Sequence, residues 1–148
     1  VRWLGSRHLA TPAEADWPIR IRQNAFADGK PTRDLYRSRD HAVFAEGVLI
    51  PVRALLNNDT VAPVNIGAVT YHHVLLDRHD IVLAEGLACE TLLDCETGAA
   101  FDNADTAPHH AIFLSASAPI VTQGQQVDRA RQTLQRRSVA GISEMAEG

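Results

Sequence analysis

The sequence predicts an all-β domain of short strands, with one short helix near residues 51–56 and a C-terminal tail or helix. Three observations carry this. Apolar residues alternate with polar ones over runs of three to eight residues. The runs are separated by glycine-, asparagine- and aspartate-bearing turns. Only one stretch, near the C-terminus, is long enough and spaced correctly for an amphipathic helix.

The elements follow in order. The chain opens on Val1-Arg2-Trp3-Leu4-Gly5, which reads as strand. In Pro18-Ile19-Arg20-Ile21-Arg22 isoleucine and arginine take opposite faces, and Asp34-Leu35-Tyr36-Arg37-Ser38 repeats the pattern. Ala42-Val43-Phe44 and Val48-Leu49-Ile50 flank Ala45-Glu46-Gly47, a hairpin whose turn glycine meets a positive φ. Pro51 suits the first turn of a helix through Leu56, and Asn57-Asn58-Asp59 suits its end. Val69 to Leu76 is the most strand-like run, with Val69, Tyr71, His73 and Leu75 on one face and Thr70, His72, Val74 and Leu76 on the other. Ile81–Ala84, a Glu85-Gly86 turn and Leu87–Cys89 form two further strands. From Thr97 to Ala107 the chain is small and polar, hence loop, and Ala111–Leu114 forms one more short strand. Val127, Ala130 and Leu134 recur at helical spacing among Arg129, Arg131, Arg136 and Arg137, as in a surface helix or a loosely held tail. The expected core is Ile19, Ile21, Leu35, Val43, Val48, Ile50, Val69, Tyr71, Leu75, Val82 and Leu87.

Composition narrows the function. With 45% hydrophobic residues the chain has enough apolar material for a core, which sets it apart from disordered sequences. A formal charge of -4 gives no footprint for nucleic acid. No apolar run reaches the ~18 residues of a membrane span. The first residues lack the charged start and apolar run of a signal peptide. There is no initiator methionine, and the chain starts inside a strand, so a natural beginning upstream of Val1 is expected. Cys89 and Cys95 are too few for a disulfide framework; they read as a half-buried and a loop thiol, or as one local bridge. No glycine-rich phosphate loop, G-x-S-x-G elbow or H-E-x-x-H motif occurs.

Two stretches carry chemistry. Ser38-Arg39-Asp40-His41 places a hydroxyl three residues before a histidine, just ahead of an apolar strand. Between Tyr71 and Cys89 stand His72, His73, Asp77, His79 and Asp80. Histidine moves protons near neutral pH and holds two partners at once. The plainer reading makes Ser38 and Asp40 turn caps and His41 an ordinary half-buried histidine. His109-His110 sits in a polar loop and reads as surface. A metal-binding module using His72, Asp77 and His79 is a third option, although no fourth ligand stands nearby.

Taken together, the two stretches resemble the Hint domain, the self-processing module shared by Hedgehog C-terminal domains and inteins, in its bacterial branch. The likeness rests on Ser38-x-x-His41 followed by Ala42-Val43-Phe44, then Tyr71, Asp77-Arg78-His79-Asp80, Ile81–Ala84 and Gly86, with Pro18-Ile19-Arg20-Ile21 and Arg33-Asp34-Leu35 upstream. It covers Val1 to about Leu93, so residues 1–95 are read as the Hint-like domain without its N-terminal nucleophile segment, and 96–148 as loop and tail. The resemblance implies a pseudo-twofold β fold and single-turnover autoproteolysis. An upstream Cys or Ser attacks the carbonyl before it, giving a thioester or ester that a second nucleophile resolves. It implies that His41 serves the scissile amide, that Ser38 is the hydroxyl donor beside it, and that His79 helps resolve the intermediate. His72, Asp77 and Cys89 are secondary candidates. The substrate partner would be the upstream segment of the same polypeptide, within a larger bacterial protein whose compartment stays open. No metal or organic cofactor is expected. Shared chemistry would bring the His41 and His79 rings within roughly 10 Å.

Three departures accompany the likeness. Val1 is not a nucleophile, so the chain by itself is expected to be inert. His72 stands where inteins have aspartate after the tyrosine, and Leu87-Ala88-Cys89-Glu90 replaces the His-Asn ending of splicing inteins. Asparagine cyclisation is therefore not expected. The rival reading is a non-catalytic β scaffold that retains the fold.

Overall fold

A computed structural model describes residues 3–75, 80–90, 102 and 118–138. The elements are β1 (Trp3–Leu9), a 3₁₀ turn (Glu14–Asp16), β2 (Ile19–Ile21), β3 (Leu35–Arg37), β4 (Ala42–Ala45), β5 (Val48–Pro51), a second 3₁₀ turn (Val52–Leu55), β6 (Val61–Pro63), β7 (Val69–Leu75), β8 (Ile81–Ala84), β9 (Leu87–Glu90) and α1 (Gln125–Arg137). The fold is mostly β, in three antiparallel sheets ordered β1-β7, β3-β2-β6 and β5-β4-β9-β8.

The alternation read from the sequence has a structural counterpart in β2, where Ile19 and Ile21 are buried and Arg20 is half-exposed. The hairpins β4–β5 and β8–β9 turn on the same tripeptide, Ala-Glu-Gly. In each the glutamate and the glycine both have positive φ (Glu46 55°, Gly47 77°; Glu85 50°, Gly86 82°), the condition for a tight turn that follows the strands' right-handed twist. Gly86 has a second reason to lack a side chain: a Cβ there would lie 2.7 Å from the Gly29 carbonyl oxygen. Around that contact Glu85 accepts the Thr32 amide on its carbonyl at 2.7 Å and the Arg33 guanidinium on its carboxylate at 2.7 Å. The Arg33 hydrogen bond holds the Glu85 carboxyl below its ordinary range.

Three local expectations change. The helix expected from Pro51 is one 3₁₀ turn, because Pro51 closes β5 and Asn57 binds the Asp59 and Val61 amides, bending the chain into β6. β6, not anticipated from the sequence, is short and among the described residues pairs with β2 alone. Tyr71 and Val82, expected in the core, are half-buried, the first in a two-stranded ribbon and the second in a strand at a sheet edge. The other core assignments among the described side chains hold: Ile19, Ile21, Leu35, Val43, Val48, Ile50, Val69 and Leu87 are buried. The Leu75 side chain, the Ala111–Leu114 strand, His109-His110 and Cys95 lie outside what is described.

The C-terminal helix is not loosely held. Val127, Ala130 and Leu134 join the main core with Val52, Leu55 and Ile50. Arg131 donates to the Ala54 carbonyl at 2.8 Å and Arg137 to the Asn24 carbonyl at 2.9 Å. Just before the helix, Leu49 donates to Pro119 O and accepts from Val121 N, at 2.8 and 2.9 Å, covering the open edge of β5. Asp102 ties to β1, its amide donating to Ser6 O and its carboxylate accepting the His8 amide, both at 2.7 Å. Among the described residues no helix is long and apolar enough to cross a membrane.

Candidate active site

Ser38, Arg39, Asp40 and His41 form the turn between β3 and β4, closed by the His41 amide donating to the Ser38 carbonyl at 3.2 Å. The start of the second 3₁₀ turn fastens it from below. Val52 N donates to His41 O and Arg53 N to Arg39 O, each at 2.9 Å, and Arg53 Nε reaches the exposed Asp40 carboxylate at 2.9 Å. Asp40 is thus an anchor for the turn. As a solvent-facing ion pair it adds little stability, under about 1 kcal/mol.

His41 is buried, with 8% of its surface exposed. Its Nε2 lies 3.0 Å from the main-chain carbonyl of Glu90, at the end of β9. A carbonyl only accepts, so Nε2 carries the hydrogen, and in the neutral ring the lone pair sits on Nδ1. The same glutamate takes the Ala42 amide on its carboxylate at 2.9 Å. Two strands far apart in sequence therefore set one imidazole.

Cys89, the residue before Glu90, is a free, buried thiol opposite Val43 and Val82. Burial pushes its thiol up, and the positive charge of Arg37 pulls the other way. Arg37 and Arg39 flank Ser38 in the chain, and both side chains are half-buried.

The β1–β7 ribbon presents Tyr71 toward this region. Its hydroxyl donates to the Asp16 carbonyl at 2.7 Å. Burial, then the Asp16 charge, raises the phenol, while Arg7 and Arg39 oppose the rise. His72 is on the ribbon's other face, exposed, opposite Ser6. Asp77 and His79 lie outside the described residues, and with them the expected approach of His79 to His41. Among the described residues no group of three His, Cys, Asp or Glu side chains is placed to hold a metal ion. A separate cleft of about 310 Å³, lined by Phe26, Phe44, Leu83, Leu87 and Ala130, contains none of the candidate residues.

The structure thus places Ser38 and His41 in the β3–β4 turn, next to the end of β9 with Cys89 and, unforeseen from the sequence, Glu90, while Arg37, also unforeseen, closes β3. Glu90 had no local signal, being one acidic residue at a strand end. What marks it is its register opposite Ala42.

The domain is thus three antiparallel sheets with a buried histidine closing a Ser-x-x-His turn. The family model for the Hint domain matches residues 1–96, and the chain belongs to that family. No curated protein and no solved structure matches it.

Proposed function

We propose that this chain forms the body of a single-turnover, self-processing Hint unit that cleaves the peptide bond before a Cys or Ser lying N-terminal to Val1. The supporting observation is the His41 imidazole, buried and held by the Glu90 carbonyl with its lone pair on Nδ1. In the first step the nucleophile's sulfur or oxygen bonds to the preceding carbonyl carbon. His41 takes the nucleophile's proton and returns it to the nitrogen as the C–N bond breaks, so the proton count is unchanged. The product is a thioester or ester plus a free amine. Water or another nucleophile then attacks the acyl carbon, releasing the Cys or Ser. Ser38, beside His41, is the hydroxyl donor to the developing oxyanion, and His79 serves the second step. The substrate is the polypeptide's own upstream segment, and no cofactor enters the balance.

The test is a precursor carrying this chain behind a cysteine and a reporter segment. Dithiothreitol should release the reporter from the wild type by thiolysis of the thioester. His41→Ala should lower the rate by about 10²-fold or more while the sheet's circular dichroism is kept. Cleavage at the wild-type rate by a folded His41→Ala precursor would sink the mechanism. A folded wild-type precursor that never cleaves would favour a scaffold role.

A further inference from the structure

Glu90 makes two bonds that an ordinary strand residue would not make. β4 is a middle strand, with β5 on one side and β9 on the other. The Val52 amide reaches the His41 carbonyl, so that carbonyl points to the β5 side. Peptide groups alternate along a strand, so the Ala42 carbonyl points to the β9 side, and the N–H of Ala42 points there also. The register Val43↔Cys89 puts Ala42 opposite Glu90. The regular continuation of the ladder is therefore a bond from Ala42 N–H to the Glu90 carbonyl. The structure has a substitute: Ala42 N–H donates to Glu90 Oε1 at 2.9 Å, and the Glu90 carbonyl accepts His41 Nε2–H at 3.0 Å. The carboxylate occupies the donor that would otherwise claim the carbonyl.

We infer that Glu90 is the positioning residue for His41: its side chain caps Ala42 N–H so that its own carbonyl can hold the imidazole in the Nε2–H form. The catalytic consequence rests on the reading of His41 as the working base. The tautomer consequence does not. Glu90 sets which nitrogen is basic and where the ring lies, and it needs only an acceptor oxygen at the end of its side chain. Glutamine supplies one, whereas leucine, of similar volume, does not. In Glu90→Leu the Ala42 amide is released to the carbonyl of residue 90, the ladder gains its regular bond and the ring's hold on that carbonyl is weakened.

The experiment pairs two readouts. Nitrogen-15 spectra of the labelled chain at mildly alkaline pH, with the His41 ring assigned through His41→Ala, report the tautomer. The expected pattern is a protonated Nε2 in wild type and in Glu90→Gln, and a mixture of tautomers in Glu90→Leu. In the precursor, Glu90→Gln should cleave within about threefold of wild type and Glu90→Leu roughly tenfold to a hundredfold more slowly. A merely structural glutamate would alter stability without altering the tautomer. Protonated Nδ1 in the wild type overturns the inference, as does a folded Glu90→Leu that keeps the wild-type tautomer. If Glu90→Leu does not fold, Glu90→Gln decides: retention of Nε2–H supports the inference and its loss overturns it. If no precursor cleaves, the self-processing reading fails while the tautomer pattern still judges the role of Glu90.

Discussion

Leu134→Ala tests whether the helix beyond the family match is part of the folding unit. The Leu134 side chain is 1% exposed and belongs to the core cluster that includes Val52, Leu55, Val127 and Ala130. Truncating a buried leucine costs about 2–5 kcal/mol, more where the surroundings cannot collapse. Here one wall is a 3₁₀ turn fixed at both ends, by Val52 N to His41 O and by Arg131 to Ala54 O, so about 3 kcal/mol is the expected loss. A chain of 148 residues has an unfolding entropy of roughly 0.3 kcal/mol/K, which converts that loss into a fall in Tm of about 10 °C. Thermal unfolding followed by far-ultraviolet circular dichroism and by tryptophan fluorescence measures it. Trp3 is buried in β1, in a different sheet from the one whose edge precedes the helix. A single cooperative unit moves both midpoints together. If the fluorescence midpoint stays at its wild-type value while the helical signal is lost early, the helix is an independent appendage and the reasoning is wrong. Thr133→Ala, one position away on the helix and outside the core cluster, should move Tm by no more than about 2 °C.

Two further outcomes follow from the turns and the buried thiol. Gly86→Ala should cost about 2 kcal/mol or more, because it adds a close contact with the Gly29 carbonyl to the left-handed backbone penalty, whereas Gly47→Ala, at a similar φ with open space around it, should cost only about 1 kcal/mol; equal losses in denaturant titration would remove the role given to the Gly29 contact. The Cys89 thiol, raised above its ordinary 9.0 by burial, favours the folded state fully below that pH and loses its contribution as pH rises through the higher folded value. Stability should therefore decline above about pH 9 more steeply in wild type than in Cys89→Ala, and an unchanged slope would show that the thiol titrates alike in both states.

The strands, the two Ala-Glu-Gly turns and the apolar face of the C-terminal helix were legible in the sequence, because each depends on residues within a few positions of one another: period two, period 3.6 and paired positive φ. The Ser38–His41 turn was legible for the same reason, and the family resemblance supplied its chemistry. The short helix expected after Pro51 is present as a single 3₁₀ turn; its length was not legible, because Asn57 satisfies backbone amides in a turn, a competition that propensity alone does not settle. The docking of α1 could not be decided from its pattern, since an apolar stripe says that something covers it and not what. Likewise, nothing near Glu90 indicates that its carboxylate meets Ala42, or that its carbonyl holds an imidazole 49 positions away. Local periodicity sets which way a side chain points. Only the pairing of β4 with β9, fixed by burial of Val43 and Cys89 in a shared core, sets what it meets there, and that pairing is what makes His41 a histidine with a defined tautomer.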